Sequence, residues 1–518
     1  MPEVTSIPEG GRAEGSMAAG SRPVRFEGRA WMLFALGVSL LWKVGALAWP
    51  AHGDHAWRDA DGLGVARSFL HEGWNLLEPR VVERGALTGI VGMEFPLINW
   101  LSALMMKLGG GERDLLARLP VWLSLLPLGS GGLLLARRVL KDETAAWIAA
   151  CVLLLQPLVI MFSRYLMPEI PMLALLCWGL VFAHDGLLPE PGRQEAWVWP
   201  ATLAAATCLA LAAVLKPTGV GVAVPLFAWG AGAWQRGTSA DRRALALRGL
   251  VHGAIPLAAM LLWFGHARAL DARYGLPLFR LRHDFWEWTR LLFTWPFFSV
   301  VFGRCLHLLF LLPTVVWMAW RWRTLWQVLR RRPLLWGWFL AALATVVSFG
   351  NHNMHHYYYA LPLALPACLL VGLTLGRVPA SRPFPAWVIA TTAALLLLMQ
   401  GQFMLGQLRG AFGPGRSPLP REVTRLRELA RAHVLLGRVD SERLLAENNL
   451  VPRLVTRADI HQLGFSALPG STPYLVLFER EPFGYPWPVR TARFTALVRQ
   501  AVAEGRADPL LDGAQVQL

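Results

Sequence analysis

Charged residues are scarce in this chain of 518 residues. Only 16% of the residues are charged and 55% are hydrophobic, whereas a soluble domain typically carries about 25% charged residues. Apolar runs of roughly 18 residues or more recur along most of the sequence, and runs of that length are typical of membrane-spanning helices. The composition excludes an ordinary soluble protein and predicts a mainly α, polytopic membrane protein with some soluble parts.

Cysteine is also rare, and its placement excludes two kinds of site. The five cysteines lie in or at the edge of apolar runs and form no CxxC pair. We therefore expect neither a disulfide framework nor a metal site of paired cysteines, but small core residues. They are Cys151, Cys177, Cys208, Cys305 and Cys368.

Acidic residues are outnumbered by basic ones, which gives a formal net charge of +16. The basic residues lie in short loops between apolar runs, where they act as topology signals facing the cytoplasm and anionic lipid. The sequence contains no motif typical of nucleic-acid-binding proteins, so we expect no nucleic-acid partner.

The hydrophobic runs divide the chain into three parts. Residues 1–29 are polar and rich in glycine, which predicts a disordered cytoplasmic segment. Residues 30–407 form the membrane body, and residues 408–518 return to a soluble composition that predicts a small C-terminal α/β domain. Eleven spans are predicted, at about 30–50, 115–136, 144–163, 169–186, 197–215, 218–235, 247–267, 299–320, 333–350, 357–376 and 385–406.

The arginine-rich loops orient these spans. With the N-terminus in the cytoplasm, the loops at 137–143, 187–195, 235–248, 321–333 and 376–383 are cytoplasmic, as the positive-inside rule requires. One apolar stretch, 94–108, is too short to span and is interpreted as a helix in the membrane interface. The segments then predicted to lie on the outer side of the membrane are 51–114, 164–169, 216–217, 266–298, 350–356 and everything after 407.

Three carboxylates of the first outside loop stand beside apolar and aromatic residues at the membrane surface, where acidic groups are costly. Asp59 and Asp61 stand at the start of a predicted amphipathic helix that ends at Gly73, and Glu94 precedes the interfacial helix. Each is in a position where it could simply cap its helix. The alternative is that a carboxylate here deprotonates an acceptor hydroxyl or ligates a divalent cation.

Further polar residues fall on the same predicted side, each with two interpretations. Arg164 is either a snorkelling cation or a phosphate ligand, and Glu169 either satisfies a helix dipole or is a fourth acid of the site. Lys216 is either an interface anchor or a counter-ion for an anionic ligand. Asn351–Tyr359 packs three histidines and three tyrosines together, which suits an aromatic belt or a site for metal, phosphate or sugar. Its spacing is not a recognised zinc pattern.

Several motifs occur in a characteristic order. WRDADGLGVARSFLHEGWNLLEPRV is followed by GMEFPLINWLSALMMKLGG, ARLP, SRYLMPE, LKP and HHYYYALPLALPA. Each motif is degenerate, but their order over most of residues 50–376 resembles the GT-C glycosyltransferases. The nearest likeness is to glycosyltransferase family 39, which includes protein O-mannosyltransferases and aminoarabinose transferases.

This resemblance implies a GT-C fold and an inverting transfer of sugar from a polyprenyl-phosphate donor. The acceptor would be a glycan, lipid or protein of the cell envelope, on the outer side of a bacterial plasma membrane. A transporter or flippase of polyprenyl-linked sugars is the alternative. Transporters favour charges at the membrane midplane and internal repeats, whereas the charges here gather at one face.

The resemblance also assigns roles by position. Asp61 corresponds to the catalytic base, with Asp59 as the alternative, and Glu94 and Glu169 correspond to further acids of the site. The residues implied in substrate binding are Arg67, Arg164, Glu169, Lys216, His355, His356 and Tyr357. No cofactor is certain; if a divalent cation is bound, Glu94 and His355 are its candidate ligands. Phe95 departs from the aminoarabinose transferases, which have a lysine there, and this shifts the expected phosphate contact to Lys216 and the arginines.

Overall fold

The computed structural model describes residues 28–47, 56–81, 88–188, 195–274, 293–310, 312–320, 322–330, 332–348, 356–376 and 398. The predicted last span, the predicted C-terminal α/β domain and nearly all of the predicted N-terminal segment lie outside these residues. His355 lies outside them as well.

The described residues are built from helices. In chain order these are α1 (Gly28–Leu47), α2 (Ala56–Glu72), α3 (Leu97–Leu108), α4 (Asp114–Leu123), α5 (Leu125–Leu140), α6 (Glu143–Leu155), α7 (Pro157–Phe162), α8 (Glu169–Leu187), α9 (Glu195–Leu215), α10 (Ala223–Arg236), α11 (Ser239–Tyr274), α12 (Trp295–Cys305), α13 (Leu312–Trp320), α14 (Trp322–Arg330), α15 (Pro333–Ser348) and α16 (Ala364–Gly376). Short 3₁₀ helices cover Pro217–Val222 and Tyr357–Leu363, and Leu306–Phe310 is π-helical.

Among the described residues, five helical stretches are long and apolar enough to cross a membrane, which confirms the predicted mainly α, polytopic fold. They are Asp114–Leu140, Glu169–Leu187, Trp197–Leu215, Asp241–Tyr274 and Tyr357–Gly376. Shorter apolar helices lie at Arg29–Leu41, Leu97–Leu108, Glu143–Leu155 and Pro333–Ser348. The two helices predicted in residues 51–114 also form: α2 ends just before Gly73, which adopts a left-handed φ of 134°, and α3 is only 12 residues long.

Prolines break the helices at two points, one within a predicted span and one at the predicted junction between two spans. The span predicted at 144–163 divides at Gln156, and the region after α9 leaves α-helical geometry at Lys216; each residue precedes a proline and has an extended ψ, 130° and 111° respectively. The residue before a proline avoids the α conformation because the proline ring would clash with it. Lys216 is therefore held at a helix break.

The end of α11 differs from the prediction. The predicted span ends at 267 and is followed by a loop over 266–298, but the helix continues to Tyr274. Its 36 residues extend about 54 Å at 1.5 Å per residue, well beyond a hydrocarbon core of about 30 Å. The helix is therefore longer than a span requires, and it continues past His266 because no proline or glycine stops it before Tyr274.

The helix ends sort into two groups, as the charge pattern predicts. At one end of the bundle, Arg332 donates hydrogen bonds to the carbonyls of Val139 and Leu140, at 2.8 and 3.1 Å. At that same end Arg138 pairs with Asp185 at 2.7 Å, and Arg248 donates to the Gly186 carbonyl at 2.6 Å. Described parts of the predicted cytoplasmic loops at 137–143, 235–248 and 321–333 thus lie at one end of the bundle, and Glu94, Glu169 and Lys216 meet at the other end.

Candidate active site

Helix α2 packs closely against the turn between α7 and α8. A Cβ atom on Gly62 would lie 2.4 Å from the carbonyl oxygen of Leu166, so only glycine permits this approach. The Asn99 side-chain amide of α3 donates to the Gly62 carbonyl at 2.9 Å. These contacts fix the first turns of α2, which carry both aspartates, between the turn and α3.

Asp59 is held in an ion pair inside the protein. Its Oδ2 lies 2.6 Å from Arg118 Nη2, and the two side chains are 1% and 2% exposed. The Leu166 backbone N–H donates to Asp59 Oδ1 at 2.6 Å, and Arg118 also donates to the Leu47 carbonyl at 2.7 Å. Asp59 therefore joins α2, α4 and the 163–168 turn.

Glu94 lies between two cations. Its Oε1 accepts a hydrogen bond from Lys216 Nζ at 2.5 Å, and its Oε2 accepts one from Arg58. The neighbouring Phe95 N–H donates to the Val214 carbonyl at 3.0 Å, so the segment runs beside the last turn of α9. The helix break at Lys216 and this backbone contact together bring the lysine to Glu94.

Lys216 has a second carboxylate partner and two aromatic ones. Its Nζ lies 3.1 Å from Glu169 Oε1, at the first residue of α8. It also lies 5.0 Å and 5.2 Å from the ring centroids of Tyr358 and Tyr359. These contacts define a group that we call the charged cluster; its members are Arg58, Glu94, Glu169, Lys216, Tyr358 and Tyr359.

Electrostatics keep Glu94 and Lys216 ionised. Burial raises the pKa of Glu94, but Lys216 and Arg58 lower it more, and the net pKa is below its usual value. Burial lowers the pKa of Lys216, but Glu169 and Glu94 raise it more, so the lysine remains protonated. A carboxylate stabilised by two cations is a poor proton acceptor, since its conjugate acid is strong. Glu94 is thus better suited to holding cations than to acting as a base.

Asp61 is on the side of α2 that carries one member of this cluster. Residues three apart on a helix share a side, so Asp61 is on the same side of α2 as Arg58, which pairs with Glu94. Asp59, two residues earlier, faces Arg118 instead. Asp61 is half-buried. The helix therefore separates the two aspartates that the sequence left as alternatives.

Two of the predicted substrate-binding arginines contact other groups. Arg67 pairs with Asp114 at 2.7 Å and lies 3.8 Å from Glu112, at the junction of α2 with α4. Arg164 is 3% exposed; it lies over the Tyr165 ring, 4.3 Å from the centroid, and donates to its hydroxyl at 2.5 Å. Their substrate contacts remain predictions.

The histidine and tyrosine motif reaches the cluster through its later members. The His356 ring stacks on Tyr358 with centroids 5.4 Å apart, and Tyr357 is half-buried against the core. Within the described residues, no group of three or more His, Cys, Asp and Glu could hold a metal ion. The two oxygens of Glu94 accept hydrogen bonds from Arg58 and Lys216, and its role as a metal ligand stays a prediction.

Three cluster residues were missed by sequence reasoning. Arg58 stands three residues before Asp61, and this helical spacing could have pointed to it. Tyr358 and Tyr359 adjoin the predicted Tyr357, but the sequence does not reveal which of three consecutive tyrosines face the lysine. The missing information is the 3₁₀ geometry of Tyr357–Leu363.

Comparison with known proteins supports the resemblance. Residues 94–263 match the family model described as dolichyl-phosphate-mannose-protein mannosyltransferase. This range contains Glu94, Arg164, Glu169 and Lys216, whereas Arg58 and Asp61 precede it. No curated protein matches the chain.

Solved structures of membrane glycosyltransferases are similar to the chain. ArnT from Cupriavidus metallidurans in the apo state is 17% identical, with a TM-score of 0.48, over 85% of this chain and 76% of that one. The same protein bound to undecaprenyl phosphate is 18% identical, with a TM-score of 0.48, over 85% and 75%. The apo oligosaccharyltransferase of Archaeoglobus fulgidus is 15% identical, with a TM-score of 0.49, over 90% and 62%.

The family match agrees with the resemblance found in the motifs over residues 94–263, about a third of the chain. The described residues contain five helical stretches that could cross a membrane, which agrees with a multi-pass membrane protein.

Proposed function

We propose that the protein transfers a sugar from a polyprenyl-phosphate donor to a hydroxyl group of an envelope acceptor, with inversion, on the outer side of a bacterial plasma membrane. The acceptor is a glycan, a lipid or a protein. The donor class follows from the resemblance to family 39. The observation that carries the proposal is the position of Asp61, on the same side of α2 as Arg58 of the charged cluster.

Asp61 is the proposed general base. The acceptor oxygen attacks the anomeric carbon of the donor sugar, and its proton passes to the Asp61 carboxylate. The bond between the anomeric carbon and the phosphate oxygen breaks on the opposite side, and its electron pair leaves with the polyprenyl phosphate. A single base is sufficient for this displacement, since the leaving phosphate needs no proton when cations stabilise it.

Lys216 and Arg58 are the proposed cations that stabilise the leaving phosphate. Both are buried and are held by Glu94, so they are oriented before the donor arrives. Preorganised charge of this kind costs no reorganisation during the reaction. Glu94 and Glu169 act as positioning residues that keep the cations in place, and Arg164 is a further candidate phosphate ligand.

The proposal is tested by transfer from a panel of polyprenyl-phosphate sugars, using the full-length protein in lipid nanodiscs. We expect Asp61→Asn to lower kcat by about 10²- to 10⁴-fold, the usual contribution of a general base, with donor binding retained. Asp241→Asn is the matched control, because Asp241 is exposed near the start of α11, at the other end of the bundle. Wild-type transfer by Asp61→Asn would refute the assignment of the base.

A further inference from the structure

Helix α14 lies at the end of the bundle opposite the charged cluster. Arg332, two residues after this helix, donates hydrogen bonds to the carbonyls of Val139 and Leu140 at the end of α5. The other end of the same span begins at Asp114, which pairs with Arg67 of α2. The 27 residues of Asp114–Leu140 extend about 40 Å, which exceeds a hydrocarbon core of about 30 Å. α14 therefore lies at the membrane surface that faces away from the candidate active site.

The two sides of α14 differ sharply. Leu329 is buried and Leu325 packs against the core, so these residues attach the helix to the bundle. The opposite side exposes both tryptophans and both arginines, together with one glutamine: Trp322, Arg323, Trp326, Gln327 and Arg330. The helix contains no acidic residue that could neutralise the two arginines.

Arginine and tryptophan side chains contact each other on this exposed side. The Arg330 guanidinium lies 5.0 Å from the Trp326 ring centroid. The same pairing recurs where α10 meets α11, since Arg242 lies 5.8 Å from the Trp234 ring and donates to the Trp234 carbonyl at 3.0 Å. α10 leads away from Lys216, so this second pair is also at the end opposite the cluster.

Two acidic groups near this end pair with other arginines. Asp185 pairs with Arg138, and Glu143 pairs with Arg137. The exposed arginines of α14 thus form a positive surface, with tryptophan rings at the level where such rings favour the headgroup region of a bilayer.

We propose that α14 is a docking surface for acidic phospholipid headgroups at the membrane face opposite the active site. Arg323 and Arg330 bind the headgroup phosphates, and Trp322 and Trp326 insert between the headgroups. The partner is the bilayer itself, because a helix with basic and aromatic residues on one side fits the interface of an anionic membrane.

Hydrogen exchange of the α14 amides tests the proposal on the full-length protein in a neutral detergent. Phosphatidylglycerol should slow this exchange in the wild type, and phosphatidylcholine with the same acyl chains should not. The double variant Arg323→Gln with Arg330→Gln should need roughly 30-fold more phosphatidylglycerol for the same protection, since each surface cation contributes about fivefold to binding acidic lipid. High salt should weaken the wild-type effect.

Two further variants separate charge from folding and location. Arg323→Lys with Arg330→Lys keeps both charges and should retain the protection. Arg113→Gln removes an exposed arginine at the active-site end and should change nothing at α14. Equal protection by phosphatidylcholine, or by glycerol phosphate without acyl chains, would overturn the proposal. So would undiminished protection in the double glutamine variant, and a bound protein partner that protects α14 in place of lipid would do the same.

Discussion

Asp59 and Asp61 are two residues apart on α2, and the helix turns them roughly 200° from each other. One carboxylate faces Arg118 in the interior, and the other lies on the side of Arg58. The sequence shows two acids in one motif and gives no reason to choose between them. The choice follows from which side of α2 packs against the 163–168 turn, and Gly62 sets that packing through its contact with Leu166.

Asp59→Asn should therefore affect stability first. Removing its charge takes the close counter-charge from buried Arg118 and leaves Asp114 Oδ2 at 3.9 Å; breaking a buried ion pair typically costs about 3–5 kcal/mol. We expect a clearly lower Tm for Asp59→Asn in detergent micelles, and a Tm close to wild type for Asp61→Asn.

The double variant Asp59→Asn with Arg118→Met is the control for this ion pair. It should lose less stability than the two single changes added together, because the buried charges are removed as a pair. An Asp59→Asn protein that unfolds at the wild-type temperature and has lost transfer activity would instead identify Asp59 as the base.

Single residues could be predicted where an ionisable side chain interrupts an apolar stretch. Lys216, Glu169 and Glu94 stand out for this reason, and the structure brings all three into contact. Arg118 and Arg58 could not be recognised in the same way, because the sequence contains many arginines near helix ends. Their importance depends on long-range contacts, such as Arg118 with Asp59 across 59 residues.

At the scale of elements, periodicity and turn residues predict α2 and α3 well. The end of α11 could not be predicted, because counting apolar residues ends a span where polar residues begin, although the helix itself continues. The extended α11 contacts the segment just before Glu94. Trp263 donates to the Met93 carbonyl at 2.9 Å, and Asp271 accepts a hydrogen bond from the Gly92 N–H at 2.9 Å. α11 thereby holds the segment that leads into Glu94.

Trp263→Phe should loosen this segment. Phenylalanine keeps an aromatic ring beside Phe95, whose centroid lies 4.7 Å from that of Trp263, but it removes the N–H donor to Met93. One hydrogen bond contributes about 1 kcal/mol, so we expect roughly fivefold faster hydrogen exchange in the peptide that covers residues 88–95. Trp234→Phe, at the other end of the bundle, should leave this peptide unchanged. Unaltered exchange in Trp263→Phe would show that α11 does not hold the segment.

At the scale of the whole molecule, two independent patterns agree. The positive-inside rule groups the loops by charge, and the structure groups them by contact. Arg332 joins the loop after α14 to the end of α5, and Arg248 joins the start of α11 to the end of α8. The charged cluster joins the other ends of α8 and α9, since Glu169 at the start of α8 pairs with Lys216 just after α9. Charge counting could predict which loops share an end of the bundle, because that depends only on the order of the spans. The same counting could not predict the side-chain contacts within each end.

Which end faces the cytoplasm is a separate prediction, and two exposed positions test it. Arg113 lies at the active-site end and Gln327 lies on α14. In a variant whose native cysteines are replaced, Arg113→Cys should react with a membrane-impermeant maleimide added to intact cells. Gln327→Cys should react only after the inner membrane is permeabilised, because the arginine-rich loops remain in the cytoplasm. The reverse pattern would place the charged cluster in the cytoplasm, where the proposed transfer on the outer side could not occur. Labelling of both positions in intact cells would contradict the sorting of the spans, because residues at opposite ends of one bundle cannot both face the exterior.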